Sequence, residues 1–121
     1  MATVVIADDD PLVLTTTTLL LQRVLGHRVE TVSEASAIVG RLRAVRPDVL
    51  LQDATMPGLV LEKHLRSIRD DPDFAGLAIV VFTGLGLAGD EASVAQADAV
   101  VRKPFDPSAL RSVIERFSRA T

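Results

Sequence analysis

Short apolar runs recur along this chain between longer stretches of helical pattern, and that alternation constrains the fold more than any other feature. Runs near residues 3–7, 28–32, 48–53, 78–82 and 99–102 read as strands, and helices are expected near 11–25, 34–45, 60–70, 90–96 and 107–119. Strand–helix alternation favours a parallel sheet with helices on both faces. The runs holding Val4-Val5-Ile6, Val49-Leu50-Leu51 and Ile79-Val80-Val81 are nearly all apolar, as befits strands buried on both sides. Arg28-Val29-Glu30-Thr31-Val32 alternates polar and apolar residues, which suits an edge strand. The expected architecture is α/β: a (βα)5 doubly wound, parallel five-stranded sheet.

Local signals agree with these boundaries. Asp10 caps and Pro11 opens the first helix, and Asp106-Pro107 repeats that entry at the last. Gly26 is placed to stop the first helix after Leu25. Thr15-Thr16-Thr17-Thr18 runs against the pattern. Four β-branched residues inside a helix cost roughly 0.5 kcal/mol each relative to alanine, so packing must outweigh them or the helix is locally soft. Gly84, Gly86 and Gly89 crowd the fourth connection, where a mobile loop with a stub of helix is expected.

Length and composition bound the remaining choices. The chain of 121 residues fits a single domain, 1–121. Hydrophobic residues make up 48% and aromatics only 3%, so aliphatic side chains must fill the core. A net charge of −3 gives no general reason to expect nucleic-acid or membrane binding. Without cysteine there are no disulfides and no thiolate metal ligands. No stretch reaches the roughly 20 apolar residues of a membrane span, and the first apolar run ends in three aspartates rather than a signal peptide. A cytoplasmic protein is the default expectation.

The ends of the runs carry the chemistry. The first leads into Asp8-Asp9-Asp10, the third closes on Asp53, the fourth on Thr83-Gly84 and the fifth on Lys103-Pro104. Ligands of open α/β sheets bind beyond the carboxyl ends of the strands, where the winding direction reverses. A strand order of 2-1-3-4-5 sets strands one and three side by side at that point and brings Asp8, Asp9 and Asp53 into one pocket. Acids, a hydroxyl and an amine gathered at one sheet edge suit a site where a carboxylate takes up a phosphoryl group. Clustered carboxylates need a cation or raised pKa values, and oxygen-only ligands beside such a site favour Mg2+. Lys103 supplies a fixed positive charge and Thr83 a hydroxyl for phosphoryl oxygens. The Lys103-Pro104 bond is a candidate cis peptide.

These motifs resemble the response-regulator receiver domain of bacterial two-component signalling. The matching segments are Val4-Val5-Ile6-Ala7-Asp8-Asp9-Asp10-Pro11, Pro47-Asp48 through Asp53 to Met56-Pro57-Gly58, Val80-Val81-Phe82-Thr83-Gly84 and Arg102-Lys103-Pro104-Phe105. The resemblance implies a flavodoxin-like fold and a signalling switch rather than an enzyme. Asp53 would accept phosphate from a sensor histidine kinase or phosphotransfer protein. Asp8, Asp9, Asp53 and the Thr55 carbonyl would hold Mg2+, and Thr83 and Lys103 would sense the phosphate. The face of the fourth helix, fifth strand and fifth helix would control a downstream protein or output domain, with a phosphorylation-dependent dimer left open.

Four departures from the family pattern stand out. Val60-Leu61 replaces the usual Asp-Gly, Val100 occupies the position of the switch aromatic, Gln96 replaces a usual glycine, and the stretch from Thr83 to Lys103 is about two residues short. Thr55 and Leu85 would flank the path of a hydrolytic water, and neither is acidic, so slow self-hydrolysis is expected. Two competing readings are weighed beside this one. A haloacid-dehalogenase-like phosphatase would use Asp8, but it leaves Asp53 without a role. A receiver-like interaction module would never be phosphorylated. His27 and His64 read as solvated or rim residues, Arg41, Arg43 and Arg46 as a solvated helix face, and Met56 as a packing residue.

Overall fold

The computed structural model describes residues 1–84, 95–103 and 106–117. Five strands, β1 (Thr3–Ala7), β2 (Arg28–Val32), β3 (Val49–Asp53), β4 (Ala78–Thr83) and β5 (Ala99–Arg102), form one parallel sheet in the order β2-β1-β3-β4-β5. Its described helices are α1 (Pro11–Leu19), α2 (Ile38–Val45), α3 (Leu61–Asp70) and α4 (Pro107–Phe117). The helix expected near 90–96 falls almost wholly outside the described residues.

Alternate residues of each inner strand feed opposite cores, which is why these runs are apolar throughout. Val4, Ile6, Val49, Leu51, Val80 and Phe82 pack with Leu21, Leu110 and Ile114 under α1 and α4. Val5, Leu50, Ile79 and Val81 pack with Ile38, Leu42, Leu65 and Ile68 under α2 and α3. Each such aliphatic side chain contributes about 1.5–3 kcal/mol when fully buried. The polar strand β2 lies at the sheet edge, as its alternation requires.

The helix entries follow local chemistry. Asp10 Oδ1 accepts from the Leu12 amide at 2.9 Å, and Asp106 Oδ1 from the Ser108 amide at 3.1 Å. Gly26 adopts φ +75°, the left-handed stop open to glycine. Beyond Leu19 the first helix widens over Leu20–Val24, where the Leu25 amide reaches back to the Leu20 carbonyl at 3.1 Å. The threonine run precedes this widening. Thr16 Oγ1 bonds the Leu12 carbonyl at 2.9 Å, whereas Thr17 and Thr18 bury hydroxyls that find no partner among the described residues.

Two surface expectations are corrected. His27 is buried rather than solvated, because its Nδ1 accepts the Ala2 amide at 3.0 Å. Arg43 is half-exposed but not merely solvated: it pairs with Asp71 at 2.5 Å and Asp73 at 2.7 Å, and lies over the Phe74 ring. Met56 is buried, as expected.

Candidate functional site

The sheet reverses its winding between β1 and β3, and the register pairs Ala7 with Gln52. One step further, Asp8 comes opposite Asp53. The Asp8 amide is held by the Val32 carbonyl at 3.0 Å, and the Lys103 amide by the Thr83 carbonyl at 2.7 Å. These backbone bonds set the residues just past β1 and β5 on the same sheet edge as Asp53 and Thr83.

Asp8 is fully buried and Asp53 only 4% exposed, while Asp9 lies open to solvent. Carboxylate oxygens of Asp8, Asp9 and Asp53 lie within 4.8 Å of one another. Lys103 Nζ donates to Asp8 Oδ2 at 2.7 Å and to Asp53 Oδ1 at 3.2 Å. Asp8 Oδ1 accepts the Asp10 amide at 2.9 Å, which points its other oxygen at the lysine.

Burial, and then the charge of Asp8, push the Asp53 carboxyl up to about 6, while Lys103 and the Thr55 amide pull the other way. Burial pulls the Lys103 amine down, but its hydrogen bond to Asp8 and the charges of Asp53 and Asp8 outweigh that, so its pKa is raised. Lys103 therefore stays cationic. Three carboxylates against one ammonium leave two negative charges in surplus. An all-oxygen donor set with that surplus suits a hard divalent cation.

Thr83 ends β4 and is buried. Thr55 is exposed, and its amide stands 3.4 Å from Asp53 Oδ1. Val100 lies on β5 and is 47% exposed. Pro104 and Leu85 lie outside the described residues, and with them the expected cis bond and half of the expected water path.

One local feature was not anticipated. Gln52 is fully buried beside Asp53, and His64 on α3, expected to be a solvated or rim residue, is half-buried against it. A lone amide in the apolar run of β3 is the sequence signal that marks the pair.

A sequence model of the response regulator receiver domain matches residues 4–115. The response regulator Rre1 of Synechocystis sp. is 29% identical over 89 residues, which are 72% of this chain. The matched part is 38% of that relative's length, so this chain spans well under half of it. Among solved structures, a response regulator receiver domain protein from Clostridium thermocellum superposes with a TM-score of 0.85 at 25% identity, covering 97% of this chain and 94% of the other. The receiver domain of a sensor histidine kinase from Pseudomonas aeruginosa PAO1, with a magnesium ion coordinated in its active-site cleft, gives 0.84 at 26% identity and 96% coverage of both chains. Described helices long and apolar enough to cross a membrane are absent.

Proposed function

The chain belongs to the response regulator receiver family, and from that premise we propose that Asp53 is the phosphoacceptor of a signalling switch. The observation that carries this reading is the convergence of Asp8, Asp9 and Lys103 on a nearly buried Asp53 at the C-terminal edge of the sheet. Family membership supports a phosphohistidine of a sensor kinase or phosphotransfer protein as the donor.

An Asp53 carboxylate oxygen attacks phosphorus in line with the scissile bond. The P–O bond forms as the P–N bond to the imidazole breaks, and the electron pair leaves with the ring. Asp8, Asp9, Asp53 and the Thr55 carbonyl would hold Mg2+, which when bound supplies positive charge to offset that on the phosphoryl oxygens. Lys103 moves from pairing with the Asp53 carboxylate to pairing with a phosphoryl oxygen. The Thr83 hydroxyl donates to another oxygen and draws the end of β4 inward. The chain thus acts as a switch and not as an enzyme on a separate substrate.

The output face we infer includes β5 and α4. Val100 has no ring to swing, so the response there is carried by backbone and partner contacts. One charged hydrogen bond supplies about 1.5–3 kcal/mol, while reversing a strongly biased two-state equilibrium takes about 5.5. A downstream protein or output domain completes the shift. Beryllofluoride with Mg2+ tests the reading: amide resonances near residues 53, 83 and 103 should move. Spectra unchanged by it would favour an interaction module that is never phosphorylated.

A further inference from the structure

Gln52 is fully buried in β3, a strand otherwise apolar up to Asp53. Its Nε2 donates to the Asp53 carbonyl oxygen at 3.0 Å and lies 3.3 Å from Met56 Sδ. One amide therefore spans both ends of the turn from Asp53 to Met56. Its Oε1 lies 2.9 Å from His64 Nε2 on α3. A carbonyl oxygen and a thioether sulfur only accept, so the amide nitrogen faces the turn and the amide oxygen faces the histidine. That oxygen also only accepts, which requires the proton of a neutral imidazole to sit on Nε2. Burial lowers the His64 pKa and so favours the neutral ring.

An apolar pair of like shape would hold α3 on β3 about as well, since replacing both partners of a buried hydrogen bond is close to neutral. What an apolar pair could not do is grip the backbone of the turn. We propose that Gln52 and His64 are positioning residues for the phosphoacceptor turn: His64 orients the Gln52 amide, which holds both ends of the turn so that the Thr55 carbonyl between them stays directed at the cation. This rests on the receiver reading of Asp53 and names residues of that site that touch neither the phosphoryl group nor the metal.

The test is an Mg2+ titration of the whole chain, followed by amide shifts at residues 53–56, for wild type, His64→Leu and His64→Gln. It is paired with the imidazole 15N spectrum of the metal-free wild type. The expected spectrum is that of the Nε2–H tautomer. His64→Leu should weaken Mg2+ binding on the order of tenfold, as loss of an outer partner does at metal sites. His64→Gln, which keeps an amide donor, should recover most of it. A merely structural pair would alter thermal stability without separating the two variants in Mg2+ affinity. Unchanged affinity in His64→Leu, or an Nδ1–H tautomer, overturns the positioning role alone. A wild type that gives no Mg2+ response overturns the site reading beneath it.

Discussion

Replacing Asp53 with asparagine should make the metal-free protein more stable at neutral pH. The carboxyl titrates at about 6 in the folded chain, against an ordinary aspartate value of 3.8. The folded protein therefore holds the proton more tightly than the unfolded one. The stability linked to that proton is fully present below 3.8 and is lost as pH rises through about 6. That difference corresponds to a cost on the order of 3 kcal/mol at neutral pH. Asparagine keeps the shape and cannot ionise, so it escapes that cost, which is already net of the attraction to Lys103. A net gain of about 2–3 kcal/mol follows, which is a rise of roughly 8–12 °C in Tm for a domain of this size. With no tryptophan or tyrosine in the chain, far-UV circular dichroism during urea or thermal unfolding is the suitable assay. The gap between variant and wild type should close near pH 4, where both side chains are largely neutral, and should narrow with Mg2+, which stabilises only a protein that binds it. An asparagine variant no more stable than wild type at neutral pH without metal would mean that the buried Asp53 carboxylate carries no such cost.

Other substitutions probe the remaining groups. Lys103→Met strands buried Asp8 and Asp53 without their cation and should destabilise the metal-free protein by about 3–5 kcal/mol, with Mg2+ restoring part of the loss in the same unfolding assay. Thr83→Ala should still take up phosphate from acetyl phosphate but should lose the amide shifts on β5 and α4 that follow it, whereas Thr83→Ser keeps both. Thr17→Val replaces a fully buried hydroxyl that has no partner among the described residues with a methyl group. It should raise stability by about 1–2 kcal/mol; a loss of stability would mean the hydroxyl is satisfied.

The sheet was legible because burial on both faces leaves an unmistakable apolar run. Val49-Leu50-Leu51 has to be apolar to serve two cores at once, and the alternating β2 has only an edge to occupy. The acidic cluster was legible because strand ends of one parallel sheet share an edge, so separate motifs converge once the order is known. Side-chain pairings between elements distant in sequence were not. His27 looks like a loop histidine until Ala2 is seen to donate to it. His64 looks like a rim residue until α3 is docked on β3 and Gln52 meets it. The widening over Leu20–Val24 follows the threonine run, and no propensity scale contains it. The consequence of Val100 is likewise legible only in the negative: the residue excludes one switch and names no other.

Acetyl phosphate with Mg2+, followed by mass mapping of the modified residue, bears most directly on the role of Asp53. Phosphate should appear on Asp53, depend on Mg2+, vanish in Asp53→Asn and outlast a time course of seconds. Phosphate on Asp8 would instead indicate a haloacid-dehalogenase-like phosphatase, and no incorporation at any residue would contradict the assignment of this site as a phosphoacceptor.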